Sequence, residues 1–205
     1  MLNWLSTANV DAEADVITYT QWLNSHGKME ADLTVIKLGP QSSPNNPYGA
    51  DQFIVVATDT VRRSRCVCGV GFAACDSGLT GGLLLLLQMH RHVETWMRKA
   101  TESRPEWGGI TIGDVTGAYT QLNLQGPRSR ELLAMLTTED MSNEAFPFRT
   151  AREIDIGFAR ALCTRITYVG ELGYELFVPS EMALHAYDRI VEAGESVGLM
   201  HAGLR

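Results

Sequence analysis

The stretch Tyr168-Val169-Gly170-Glu171-Leu172-Gly173-Tyr174-Glu175 contains the junction of two alternating segments near the C-terminal end of the chain. In residues 160–168 and again in residues 174–179, polar and apolar residues alternate as they do in β-strands. Glycines occupy positions 170 and 173, so the sequence predicts a hairpin turn over residues 170–173. This hairpin would present the Tyr168 ring and the Glu175 carboxylate to one small space.

Length and charge limit the class of protein. A chain of 205 residues can form one large domain or two small ones with a buried core. Its net charge of -7 and the lack of a basic stripe argue against nucleic-acid binding, although a few local Lys or Arg residues could hold an anionic ligand. Residues 1–5 resemble neither a secretory signal nor a transit peptide, and they are compatible with a start inside a longer protein. We expect no association with a membrane.

Cysteine and histidine spacing gives no indication of a metal site. Neither the four cysteines nor the five histidines have the paired spacing that is typical of zinc ligands. We therefore expect no bound metal, and we expect free thiols in a reducing compartment.

The order of predicted elements favours an α+β fold. Strands are predicted in antiparallel pairs, and helices fall between them at irregular intervals. The last helix is predicted over residues 181–193, with an apolar stripe of Ala183, Leu184, Tyr187, Ile190 and Val191. The other predicted strands cover residues 19–23, 32–38, 52–57, 110–115 and 119–124; the other helices begin near residues 59, 89 and 128, and loops cover residues 24–27, 39–49 and 141–152.

Residues 66–88 differ from the rest of the chain, with five glycines, one charged residue (Asp76) and five consecutive leucines. Glycines and the charge argue against a membrane span, and the lack of a lysine argues against a phosphate-binding loop. Two explanations of residues 66–88 remain, an exposed apolar loop and a retained intron. We favour the intron, because a leucine run followed by Gln88 is what a pyrimidine-rich tract ending in CAG would encode. Its removal would also join two half-helices in one amphipathic register.

Five segments, in order along the chain, resemble the folate-binding aminomethyltransferase family. That family includes the glycine cleavage T-protein and the folate-binding part of sarcosine and dimethylglycine dehydrogenases. Residues 141–148 and 30–35 resemble the sarcosine dehydrogenase branch most. The five segments are Tyr19-Thr20-Gln21-Trp22-Leu23-Asn24 with Gly27, Asp32-Leu33-Thr34-Val35, Leu124-Gln125-Gly126-Pro127-x-Ser129-Arg130, the Tyr168 to Glu175 stretch, and His201-Ala202-Gly203.

The resemblance implies a fold, a cofactor and site residues. The family fold is a ring of three α+β subdomains around a folate pocket, so residues 1–205 would cover roughly two of them, with the third missing. Tetrahydrofolate is the implied cofactor. Asp32 would be the catalytic residue, Glu175 would bind the donor edge of the pterin ring, and Tyr168 and Tyr19 would line the pocket. FAD is expected only in a full-length protein, on an upstream flavin domain of the same polypeptide.

We therefore interpret the chain as a fragment of an enzyme, the tetrahydrofolate-binding one-carbon (methylene) transfer module of a sarcosine or dimethylglycine dehydrogenase-like protein. The mitochondrial matrix is the implied location, or the cytoplasm in a prokaryote. A stand-alone T-protein, a non-catalytic regulatory relative and a gene product without a stable fold are the alternatives.

Simpler structural roles for the predicted site residues also remain open: Asp32 could cap a turn, Glu175 could be a solvated strand residue, and Tyr168 could belong to the core. This sequence departs from the family at two positions: Trp22 replaces the usual methionine, and Lys28 replaces the usual glycine.

If residues 66–88 are a retained intron, the mature transcript should join the codons of residues 65 and 89 directly. Amplification and sequencing of mature messenger RNA across this junction checks the prediction. A mature message that contains the segment would contradict it.

Overall fold

The computed structural model describes residues 1–40, 51–58, 82–86 and 90–202. The chain divides into two compact units, Met1–Gly117 and Ala118–Arg205. Each unit combines a β-sheet with helices, and the predicted α+β class is confirmed. In the described ranges, no helix has the length and apolar character needed to cross a membrane.

The first unit contains a mixed sheet. Its strands lie in the order β1-β2-β3-β4-β5, with antiparallel pairing from β1 to β3 and parallel pairing from β3 to β5. The elements are α1 (Leu2–Leu5), β1 (Ile17–Leu23), β2 (Met29–Pro40), β3 (Asp51–Thr58), β4 (Gly82–Leu86), α2 (His90–Ser103) and β5 (Thr111–Ile112).

The core of the first unit lies between one face of this sheet and α2. Leu33 and Val35 of β2 belong to the same buried cluster as Val93 and Met97 of α2. Trp22 of β1 is fully buried in that cluster, and its indole nitrogen donates to Ser6 Oγ at 3.0 Å. Ala31, Leu33 and Val35 of β2, like Trp22 of β1, therefore face the core with α2, and the residues between them lie on the opposite face.

Part of the first unit's sequence lies outside the described residues. This applies to the loop predicted over residues 39–49, apart from its first two residues, and to nearly all of the helix predicted to begin near residue 59. Of residues 66–88, only the backbone of β4 is described, and it pairs with β3 and β5. The interpretation of residues 66–88 as a retained intron, absent from the mature protein, stays a prediction.

The second unit contains an antiparallel sheet covered on one face by two helices. Its strand order is β6-β9-β8-β7. Leu132 and Leu133 of the first helix and Ala186 and Ile190 of the second join the buried cluster on the sheet. The elements are β6 (Tyr119–Gln125), α3 (Ser129–Leu136), β7 (Ala151–Ile156), β8 (Ala159–Thr164), β9 (Gly173–Pro179) and α4 (Ala183–Gly194).

Three sequence predictions for the second unit were wrong in detail. Strand β8 ends at Thr164 and β9 begins at Gly173, so residues 165–172 form a longer loop than the predicted turn. Strand β7 was missed, because its alternation is interrupted by charged residues. On α4, Ala186 and Ile190 lie on the face that packs on the sheet, whereas Leu184 is 71% exposed on another face. The α-helix also begins later than predicted, after a 3₁₀ turn, Ser180–Met182.

Candidate functional site

Asp32 lies in β2, directly opposite Gln21 of β1. Tyr19 Oη donates to Asp32 Oδ2 at 2.7 Å, and Gln21 Nε2 donates to Asp32 Oδ1 at 3.1 Å. Each oxygen of the carboxylate thus accepts a hydrogen bond from β1, which fixes the plane of the group. The structure brings together Tyr19 and Asp32, the two site residues predicted for this part of the chain.

The turn between β1 and β2 is held by a different residue. Asn24 Oδ1 accepts hydrogen bonds from the backbone amides of His26 at 2.9 Å and Lys28 at 3.1 Å. Gly27 has φ +71°, a conformation that glycine adopts without strain. Asn24 therefore caps this turn from within it, and Asp32 lies farther along β2.

Glu175 is near the middle of β9, between Asn123 of β6 and Thr164 of β8. Its neighbours Tyr174 and Leu176 are fully buried in the cluster beneath the helices, so Glu175 lies on the opposite face of the sheet. Its side chain is partly buried, and burial raises the pKa of the carboxyl to about 7. Within the described part of the chain, no donor reaches this carboxylate. It therefore has free capacity to accept hydrogen bonds from a ligand.

A row of amide side chains lies beside Glu175. Gln121, Asn123 and Gln125 occupy every second position of β6, opposite Phe177, Glu175 and Gly173. Gln121 Nε2 donates to Asn123 Oδ1 at 3.0 Å. Gln121 and Asn123 were not among the predicted site residues. Their polar alternation on a strand whose other face is apolar was the signal that could have indicated them.

Tyr168 lies in the loop of residues 165–172, and its side chain is 85% exposed. It is therefore not a core residue. No hydrogen bond between Tyr168 and Glu175 occurs among the residues that the structure describes. The two side chains share a unit, but the structure does not join them as it joins Tyr19 to Asp32.

The loop that carries Tyr168 is anchored to the turn between β6 and α3. Near its start, Thr167 Oγ1 donates to Gln125 Oε1 at 2.9 Å. At its end, Leu172 O accepts from the Gly126 backbone amide at 2.7 Å and from Ser129 Oγ at 3.3 Å. These contacts join two of the five sequence segments, and they fix both ends of the loop on either side of Tyr168.

Gly173 leaves room for this packing. A Cβ atom at residue 173 would overlap with the side-chain amide of Gln125, which lies across it. The glycine therefore allows Gln125 to occupy the sheet face next to Glu175 and to reach Thr167.

Cys163 and the possible metal ligands among the described residues offer no further candidate site. Cys163 of β8 is fully buried, and burial raises the pKa of its thiol far above the ordinary range, so it remains a packing residue. Where side chains are described, no group of three or more His, Cys, Asp or Glu residues is placed to hold a metal ion.

Comparison with known proteins identifies one family. Residues 85–205 match the family described as the GCVT N-terminal domain. The mitochondrial sarcosine dehydrogenase of Mus musculus is 30% identical over 205 residues, which is 99% of this chain and 19% of that protein.

Two further relatives carry different names. The mitochondrial pyruvate dehydrogenase phosphatase regulatory subunit of Mus musculus is 26% identical over 203 residues, which is 98% of this chain and 18% of that protein. An aminomethyltransferase of Bacillus subtilis is 36% identical over 97 residues, which is 47% of this chain and 26% of that protein. The chain thus spans a minor part of each of these relatives.

Glu175 should make stability depend on pH. Because its folded-state pKa of about 7 lies above the 4.5 of an exposed glutamate, the folded state binds more protons between these values. The free energy of unfolding should therefore fall as pH rises from about 4.5 to about 7, by at most about 3 kcal/mol from this group. Urea unfolding at a series of pH values measures the effect.

Other groups also titrate in this range, so the comparison of variants carries the test. Glu175→Gln should flatten the profile, whereas Glu171→Gln, at an exposed loop position, should leave it unchanged. Identical profiles for the wild type and Glu175→Gln would contradict the prediction.

Proposed function

The chain belongs to the GCVT N-terminal domain family, and we propose that it binds tetrahydrofolate and transfers a one-carbon (methylene) unit to it. Within the family, we propose the folate-binding module of a sarcosine or dimethylglycine dehydrogenase-like protein. The observation that carries the proposal is the Glu175 carboxylate, which is partly buried, lacks a donor within the described residues and is flanked by amide side chains.

Glu175 matches the donor edge of a pterin ring. Tetrahydrofolate presents a ring N–H and an exocyclic NH2 group side by side, and one carboxylate can accept both. Burial makes the charged form of Glu175 costly in the free protein. Two donors from the ligand would stabilise that form, and binding should therefore favour ionised Glu175.

Tyr168 supplies exposed apolar surface on the loop that precedes β9 in the same unit. Its ring is largely exposed, and contact with a bound ring system would remove both surfaces from water. The anchored ends of its loop restrict where the ring can move. We assign Tyr168 to packing against the ligand.

Asp32 is the residue assigned to proton transfer. Its oxygens already accept hydrogen bonds from Tyr19 and Gln21, which hold the carboxylate in one orientation. When the folate nitrogen attacks the one-carbon donor, a proton must leave that nitrogen, and a positioned carboxylate can accept it. Tyr19 is then both a pocket aromatic and a positioning residue for Asp32.

The activity of the whole protein is part of the proposal. An upstream flavin domain carrying FAD would oxidise the amine and release the one-carbon unit, in the mitochondrial matrix or in the cytoplasm of a prokaryote. The matched aminomethyltransferase supports a glycine cleavage role as an alternative. The matched regulatory subunit supports a non-catalytic alternative.

Tetrahydrofolate should raise the thermal unfolding midpoint of the full-length protein, because the ligand binds the folded state only. Glu175→Ala should weaken binding by about tenfold or more, since a charged acceptor contributes roughly 1.5–3 kcal/mol. Glu171→Ala, which removes a carboxylate from the adjacent loop, is the matched control and should bind as the wild type does. Equal protection of the Glu175→Ala and wild-type proteins would count against the folate site.

Asp32→Asn should retain tetrahydrofolate binding and lower methylene transfer by about a hundredfold or more, the usual effect of losing a general base. With the full-length protein and its amine substrate, the measurement is the ratio of methylenetetrahydrofolate to free formaldehyde. Asp188→Asn, at an exposed position of α4, is the control. If the wild type binds tetrahydrofolate but forms no methylenetetrahydrofolate, the regulatory alternative is favoured.

A further inference from the structure

Two arginines of the second unit share a single neutral acceptor. Arg130 of α3 donates from Nη2 to Asn143 Oδ1 at 2.6 Å. Arg165, which follows β8, donates from Nη2 to the same oxygen at 2.7 Å. The two guanidinium groups therefore lie within the combined length of two hydrogen bonds, and only an uncharged amide oxygen separates them.

The remaining donors of these arginines are incompletely satisfied. Arg130 Nε makes one long hydrogen bond to Tyr174 Oη, at 3.4 Å. Arg165 Nη1 donates to the backbone oxygen of Phe146 at 2.5 Å, but Arg165 Nε is buried without a hydrogen-bond partner. Nε and Nη2 form the edge of a guanidinium group that binds oxyanions side-on. On Arg165, Nη2 of this edge donates to Asn143, whereas Nε of the same edge has no acceptor.

No carboxylate in the described ranges forms an ion pair with Arg130 or Arg165. A third arginine, Arg152, donates to the backbone oxygens of Asp140 and Ala145. The Asp140 carboxylate accepts from the Ser142 backbone amide, which lowers its pKa, with a smaller contribution from Arg152. Arg152 therefore has an acidic side chain nearby, whereas Arg130 and Arg165 have no carboxylate partner among the described residues.

We propose that Arg130 and Arg165 form a binding site for a small oxyanion, either a carboxylate or a phosphate group, that displaces the Asn143 amide. Asn143 is exposed, so its side chain can move away without loss of buried apolar contacts. The oxyanion then accepts from Nε and Nη2 of Arg165 and from Nη2 of Arg130. These charge-assisted bonds replace two bonds to a neutral group.

This site is separate from the position of Glu175. Tyr174, whose hydroxyl contacts Arg130, is fully buried in the cluster beneath the helices. Glu175, the next residue, lies on the opposite face of the strand. The oxyanion site therefore does not depend on the folate assignment, and it can be present if that assignment fails.

The test uses the full-length protein at constant pH and ionic strength, with sodium chloride replaced stepwise by sodium phosphate, acetate or succinate. We expect a saturable rise in the thermal unfolding midpoint with phosphate, with the carboxylates or with both, because a bound ligand stabilises the folded state. The responding anions identify the ligand group. A midpoint that is insensitive to all three salts overturns the proposal.

Two variants separate this site from general salt effects. Asn143→Asp supplies a carboxylate from the chain itself, so it should raise the midpoint in chloride alone and abolish the saturable response. Arg130→Gln should weaken the apparent affinity about tenfold or more. Arg160→Gln removes an exposed arginine that pairs with Glu153 and is the control. A response that persists unchanged in Asn143→Asp and Arg130→Gln overturns the proposal.

Discussion

The alternation of side chains across β9 is the constraint on which the second unit depends. Tyr174, Leu176 and Val178 enter the core beneath α3 and α4, and this leaves Glu175 on the other face. A shift of one residue in the pairing with β6 would exchange these faces and place a carboxylate among apolar side chains. The large apolar area buried on the helix side therefore maintains a partly buried carboxylate on the opposite side.

A related arrangement occurs in the first unit. Trp22 and Leu33 face the core with α2, and the alternate residues Gln21 and Asp32 lie on the opposite face, where they pair across the two strands. In each unit, the cluster packed against the helices and the proposed site residues thus lie on opposite faces of one sheet. The two carboxylates differ in their surroundings. Asp32 is held by neighbouring donors, whereas Glu175 has its pKa raised by burial.

Features with a local cause could be predicted from the sequence. The turn at Asn24 and Gly27 joins two consecutive strands, and the strand residues Tyr19 and Asp32 come together as a direct result. Features with a non-local cause could not. The loop of residues 165–172 is set by bonds to the turn after β6, so alternation near Tyr168 misplaced the end of β8. The meeting of Arg130, Asn143 and Arg165 likewise depends on three separate segments.

The order of strands in the second unit has a consequence for how the polypeptide folds during synthesis. Strands β7 and β8 form a local hairpin, but β6 has its only described partner in β9, the last strand of the unit. During synthesis β6 emerges from the ribosome before β9, and its backbone groups stay unpaired until β9 has also emerged. Pairing of β6 with β9 also requires closure of the long segment between them, and the entropic cost of that closure slows formation of the sheet. Until that moment β6 remains available for pairing with other chains.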